Sequence, residues 1–269
     1  MPRDSISFST DPNPVKSKSK CIHIVGKKRG TAKPAPLVLC GNQLPWVRSA
    51  AHLGHELHES GFMDHDAVIK RAQFISRSVE VRNMFCWASP PEILQALRIH
   101  CSAFYGSMLW DLGGEKACQV YRAWDTAVKL SWGCPRYTRT FLLQQVLACG
   151  NTNAKTDILT RYGKFSRGLM SSISKEVRVL FNLVARDLRS TTAKNIKFVE
   201  AESGTGLWTV SQHNLKQKLH NNQMVEINTR DEWRLVYLAS LLRQLQQAKL
   251  HVQEDRVTQL QDLINSLVQ

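Results

Sequence analysis

The apolar pattern of this chain changes its period once, near Gly61, and that change restricts the folds open to it. Before Gly61, apolar residues come in short β-branched runs broken by Pro and Gly; after it, they recur every three or four residues. The first pattern suits strands and the second suits helices packed by one face. Cys21-Ile-His-Ile-Val25 and Leu37-Val-Leu-Cys40 are strand-like runs, and Gly41-Asn42 closes the second with turn chemistry. Leu44-Pro-Trp-Val47 and Ala51 to Leu57 are expected to add two short strands, with Gly26 to Pro36 an exposed loop.

Past Gly61 the spacing of Val68, Ile69, Ala72, Ile75 and Val79 predicts a helix over 66–85. Ser89-Pro-Pro-Glu92 is a capping box with Pro in the first turn. The helix it opens is expected to run to about Leu112, where Gly113-Gly114 stops it. Further helices are expected at 115–132, 138–148, 154–169 and 174–188. The periodicity weakens from Ala193 to Gln223, and Gly204-Thr-Gly206 with the polar run from His213 predicts a connector. Thr229-x-x-Glu232 is a second capping box. After it, Leu235, Leu238, Leu242 and Leu245, then Val257, Leu260, Ile264 and Leu267, alternate spacings of three and four. Each block is too short for a coiled coil, so a helical hairpin packed on its own domain is favoured over an oligomerisation zipper. The expected fold is α+β and predominantly α-helical, with a short N-terminal antiparallel β segment, a helical bundle and a C-terminal helical hairpin. Its segments are 1–61, 62–203, a connector 204–227, and 228–269.

Charge narrows the partner. Lys and Arg total 36 against 22 Asp and Glu, a net +14 with pI near 9.7. Residues 1–55 hold nine of the basic residues and only two Asp, with no acid between Asp11 and Glu56. Such a balance points to a polyanion, nucleic acid ahead of a membrane surface. No apolar run approaches the ~18 residues of a membrane span, and Met-Pro-Arg-Asp-Ser lacks the apolar core of a secretory signal. Seven Cys, none closer than 15 residues to the next, fit buried thiols in a reducing intracellular setting rather than disulfides or zinc. Nucleus or cytoplasm is left open.

No nucleophile elbow, Walker loop or His-Glu-x-x-His motif is present. His52, His55, His58 and His65, with Asp64 and Asp66, form one cluster that tempts a metal reading. Gly54 interrupts it, and on a strand His52 and His58 share one face while His55 takes the other. A polar structural segment is therefore preferred. No adjacent Asp-Asp pair occurs, and two-metal phosphoryl transfer needs paired carboxylates. No catalytic and no metal residue is assigned. Phe85, Trp87, Phe104, Tyr105, Trp110, Tyr121, Trp124 and Trp132 crowd one stretch at helical spacing and are expected in the core. Arg98, Arg122, Lys129, Arg136 and Arg139 would then line outer faces suited to phosphate contacts without sequence readout. Lys155, Arg161, Lys164, Arg167, Lys175 and Arg178 continue that series, with a plain solvated face as the alternative.

Several strings together resemble one family. Phe8-Ser-Thr10, Asn13-Pro-Val-Lys16-Ser-Lys18 and Cys21-Ile-His-Ile24 resemble the stretch after the catalytic turn in reverse transcriptases of LINE-type (non-LTR) retrotransposons. Leu39-Cys-Gly41, Leu44-Pro-Trp-Val47 and Ala51-His-Leu-Gly54 are similar to the primer-grip hairpin that follows. Phe104-Tyr-Gly-Ser107, Leu109-Trp-Asp-Leu112, Pro135-Arg136, Arg161-Tyr-x-x-Phe165 and Asp187-x-Arg-Ser-Thr191 are similar to the thumb and the helices beyond it. The likeness covers roughly residues 5–200. In this family two metal ions sit on an Asp-Asp turn and an earlier Asp of the palm, both of which would precede Met1.

The resemblance implies a palm-end, primer-grip and thumb piece, inactive alone, with Mg²⁺ only where a complete palm is supplied. It implies that Lys16 or Lys18 lies near the incoming triphosphate, with Lys20 beside them among the nucleic-acid-binding residues. It places His52, Leu53 and Gly54 against a primer end. It makes Arg122, Lys129, Arg136 and Arg139 contacts to a template–primer backbone of RNA, DNA or hybrid. Two alternatives stand beside it. One is a subunit that complements a separate palm-containing polypeptide. The other is a helical assembly module, self-associating through 228–269 with incidental charge. Strand edges in residues 20–60 are expected to be exposed unless something covers them.

Overall fold

The computed structural model describes residues 19–24, 35, 37–39, 41–52, 55–60, 63–134, 138, 153–223, 241, 245 and 254–268. The chain divides into two units, Met1–Ile69 and Lys70–Gln269.

The first unit holds two small antiparallel hairpins. Strand β1 (Val38–Leu39) pairs with β2 (Asn42–Gln43), and β3 (Ser49–His52) with β4 (His55–His58). Gly41 sits between β1 and β2 at φ +79, a left-handed conformation that a side chain disfavours. Three expectations change here. The run from Cys21 makes one isolated parallel bridge to Trp46 rather than a strand. The Leu44–Val47 run forms no strand: it gives its side of that bridge and one bond from the Leu44 amide to the Leu37 carbonyl at 2.8 Å, and Pro45 has no N–H to extend a ladder. Ala51 to Leu57 is no single kinked strand: its ends belong to β3 and β4, and the register sets His52 opposite His55. Ile24, Leu37 and Val38 stay 53–65% exposed, since two-residue strands offer too little sheet to cover them.

Helix α1 spans Asp64–Met84, with Asp64 and Asp66 in its first turn, where acids complement the helix dipole. Asp66 is buried, and its Oδ1 accepts a hydrogen bond of 3.0 Å from the Glu56 amide of β4. That contact joins the second hairpin to the start of the helix.

The regular secondary structure described in the second unit is all helical. Helix α2 (Pro90–His100) opens on the expected box: Glu92 Oε2 accepts from the Ser89 amide at 2.6 Å and from its hydroxyl at 2.7 Å. It does not continue to Leu112. Phe104, Trp110 and Leu112 are all buried, and a helix would spread them around its circumference. The chain instead turns at Gly106 (φ +84) through a 3-10 turn, Ser107–Leu109, which sends them inward. The irregular backbone there is satisfied from a distance. Buried Asn195 donates to the Trp110 carbonyl at 2.7 Å and accepts from the Leu112 amide at 2.8 Å.

Helix α3 runs Glu115–Ser131, α4 Ala154–Met170 and α5 Lys175–Arg186. Asn153 and Ser174 cap the last two through their side chains. The stretch read as weak from Ala193 and as a connector from 204 is mostly helical: α6 covers Thr191–Ser203 and α7 covers Gln212–Gln223. Two apolar residues one turn apart, Leu215 and Leu219, are fully buried and dock α7, which is polar elsewhere. Gly163 of α4 permits the approach, because a Cβ there would meet Leu215 Cδ2 at 2.5 Å. The expected helix at 138–148 lies outside the described residues, Thr138 excepted.

Of the crowded aromatics, Phe104, Trp110, Tyr121, Trp124 and Trp132 are buried as expected, whereas Trp87 and Tyr105 are more than half exposed. Phe74 of α1 completes their cluster, 5.6 Å from Trp124 and 5.8 Å from Phe104 between ring centres. Helix α8 (Glu254–Val268) packs Leu260 and Ile264 onto Leu241 and Leu245. Its Arg256 donates to the carbonyls of Trp87 (2.7 Å) and Ala88 (3.3 Å), just past the end of α1. Helix α8 is thus tied to its own unit.

Candidate nucleic-acid interface

Helices α1 and α3 meet at the Phe74–Trp124 contact, and beside it they form a groove of about 480 Å³. Arg71, Ile75, Ser78, Val79 and Arg82 line one wall. Their spacings of four and three place them on one face of α1. From α3, Gln119, Arg122 and Thr126 give the polar part of the other wall, while Ala123, Ala127 and Leu130 make it apolar at depth.

The three guanidiniums differ in their partners. Arg122 Nη1 bonds Glu115 Oε1 at 3.0 Å, with both side chains mostly exposed. Bonds from Gln119 and Arg122 hold the Glu115 carboxyl below its ordinary range. Arg71 and Arg82 have no carboxylate partner among the described residues, and both are half-buried. The Nε of Arg71 is buried and has no hydrogen-bond partner among the described residues. Burial also pulls the Arg82 guanidinium below its ordinary value. The hydroxyls nearby are committed to their own helices, Ser78 to the Ile75 carbonyl and Thr126 to the Arg122 carbonyl, each at 2.8 Å.

Among the residues singled out from sequence, Arg122 lines this groove. Lys129 is half-buried two turns further along α3. Lys20 is exposed beside the bridged Cys21 in the first unit, and His52 is exposed at the end of β3. Lys16, Lys18, Leu53, Gly54, Arg136 and Arg139 lie outside the described residues. Arg71 and Arg82 were not singled out, although their separation of eleven residues, three helical turns, was a readable signal.

The later basic series divides. Lys155 is paired with Glu202 at 2.7 Å and lies 5.4 Å from the Phe198 ring. Arg167 is spent on the Leu207 carbonyl and on Gln212. Arg178 is spent on the carbonyls of Ser172 and Ile173. These three hold the bundle together. Arg98 and Arg161 are exposed and line a second groove of about 580 Å³ between α2 and α4. Asp157 shares that groove and also pairs with Lys216 at 3.7 Å, so its balance is less cationic.

The histidine cluster is spread over different contacts. His58 Nδ1 bonds the Ser60 hydroxyl at 3.0 Å, and its ring centre is 5.0 Å from that of His65. Among the described residues, no group of three His, Cys, Asp or Glu is arranged to hold a metal ion. No described helix is long and apolar enough to cross a membrane. Comparison with protein-family models, curated proteins and solved structures gave no match.

Proposed function

We propose that this chain binds nucleic acid through its sugar–phosphate backbone, without reading sequence, and does not polymerise by itself. The observation that carries the reading is the α1–α3 groove, where Arg71 and Arg82 have no carboxylate partner among the described residues in a chain of net charge +14. A half-buried guanidinium without a counter-charge is costly, and a phosphate supplies that charge in a geometry matched to the Arg fork. The strings that resemble the primer grip and thumb of LINE-type reverse transcriptases support a template–primer as the ligand, and an origin as part of such a polymerase. The missing Asp-Asp pair supports inactivity in isolation.

The test is binding of the full chain to a labelled RNA-template/DNA-primer hybrid between 50 and 200 mM salt. Affinity is expected to fall on the order of 10³-fold or more across that range if six or more phosphates are engaged. Salt-independent binding, or none at 50 mM, refutes it. Robust nucleotide incorporation by the pure chain with Mg²⁺ refutes the inactive reading.

A second reading, an assembly module, has one observation of its own. Helix α5 buries only Phe181, while Leu180 and Leu183 of the helix and Leu188 just beyond it stay 62–63% exposed. An open apolar face of that kind suits a protein partner. Sedimentation of the full chain separates the readings, because self-association that L180E/L183E abolishes belongs to the second alone.

A further inference from the structure

The two ends of the α1 wall are too far apart to serve one phosphate. Arg71 and Arg82 are eleven residues apart on a continuous helix, roughly 16 Å at 1.5 Å per residue. Between them the groove is lined by the apolar side chains of Ile75 and Val79 from α1 and of Ala123 and Leu130 from α3. The lining hydroxyls are already bonded, so the surface between the two cations offers little to a second polar group. A free phosphate would satisfy one guanidinium and leave the other bare. A volume of about 480 Å³ is of the size that encloses a small molecule or a short piece of chain, not a double helix.

We propose that the α1–α3 groove is a seat for a single, unpaired nucleic-acid strand, such as the unpaired template beyond a template–primer's duplex, held by phosphodiesters at Arg71 and at Arg82 with its sugars over the apolar lining between them. The assignment rests on the nucleic-acid reading above and adds to it which strand form enters and which two cations hold it. Arg122 lies on the opposite wall and is tethered to Glu115 by an exposed pair. Such a pair is weak, so Arg122 is free to exchange Glu115 for a passing phosphate. The depressed pKa of Arg82 and the orphaned Nε of Arg71 are both relieved when an anion arrives.

The experiment compares the full wild-type chain with R71Q/R82Q and with R71K/R82K. The probes are oligo(dT)20, a blunt 20-base-pair DNA duplex, inorganic phosphate and a phosphoserine peptide. Binding is read as a function of salt, and thermal unfolding is read without ligand. For oligo(dT)20, R71Q/R82Q is expected to lose about tenfold in affinity at low salt. Its log–log salt slope should fall by about 1.4, the value for two single-strand phosphates. Duplex affinity should change far less. Without ligand, R71Q/R82Q should unfold at the wild-type temperature or above it, because it sheds uncompensated buried charge; the same unfolding curve reports whether it folds. R71K/R82K keeps the charge and loses the fork, so it should keep the slope and lose part of the affinity.

Equal losses for oligo(dT)20 and duplex overturn the single-strand assignment. Wild-type salt slope in a folded R71Q/R82Q overturns the seat while leaving nucleic-acid binding itself intact. No oligonucleotide binding by the wild type removes the parent reading as well. In that event, stabilisation by inorganic phosphate or the phosphopeptide that R71Q/R82Q loses reassigns the groove to a different phosphate-bearing ligand.

Discussion

At the scale of single residues, the chain is most informative where a polar group is buried. Burial raises the Asp125 carboxyl to about 6, against the pull of Lys129 and Lys155. A folded-state pKa above the unfolded one means that folding favours the protonated acid. The contribution of Asp125 is therefore fully present below the unfolded value near 4 and is lost as pH rises through about 6. D125N carries no such cost, so at pH 7.5 it should be more stable than the wild type by on the order of 2 kcal/mol. That advantage should shrink toward zero by pH 4 in denaturant titrations; a difference flat with pH would show that Asp125 is ionised comfortably in the fold. Local sequence foretold some of this scale and not the rest. The Ser89–Glu92 box was legible because both partners lie three residues apart and the geometry is set by the helix alone. Asn195, whose two bonds reach more than 80 residues back, carries no mark in its own neighbourhood.

At the scale of elements, helices whose apolar residues recur over four or five turns were legible, and a helix with only two apolar residues was not. The spacing that predicted 66–85, 115–132 and 154–169 corresponds to α1, α3 and α4 to within two residues. Helix α7 escaped because Leu215 and Leu219 are its buried anchors in an otherwise polar run. Two leucines at a spacing of four do not make a period. What fixes α7 is its neighbour, since Gly163 leaves the space that Leu215 Cδ2 fills. G163A should therefore act against its own helix propensity. Ala is worth about 1 kcal/mol over Gly within a helix, but overpacking against Leu215 costs about 1–3 kcal/mol. A net loss of about 1 kcal/mol is expected in chemical denaturation. The double variant G163A/L215A should lose less than the sum of the two single changes, because the clash is shared. Strict additivity would mean that the backbone of α7 simply moves aside. The over-long reading of α2 failed for the converse reason: local pattern supports a helix through Phe104, and only burial of Trp110 and Leu112 against distant partners requires the break.

For the whole molecule the question is whether charge and assembly are separate properties. Residues 228–269 hold five basic and five acidic residues, so the net +14 resides entirely in the preceding part of the chain. Leu241, Leu245, Leu260 and Ile264 face one another, and Arg256 ties α8 to the carbonyls after α1. That arrangement makes the stretch a stabilising clasp within one chain. L260A/I264A empties the cluster, and each truncation typically costs 2–5 kcal/mol, here toward the low end of that range because the cluster is small. If the clasp is intramolecular, unfolding of wild type and variant is independent of protein concentration, and the loss is the same at 1 and 100 μM. If the leucines pair between chains, the wild-type midpoint rises with concentration by mass action and the variant's does not. The salt slope for nucleic acid discriminates further. A neutral clasp releases no counterions, so L260A/I264A should keep the wild-type slope while losing stability. A variant that loses slope and stability together would show that the basic surface is organised only when the C-terminal helices are in place, and would tie affinity to assembly.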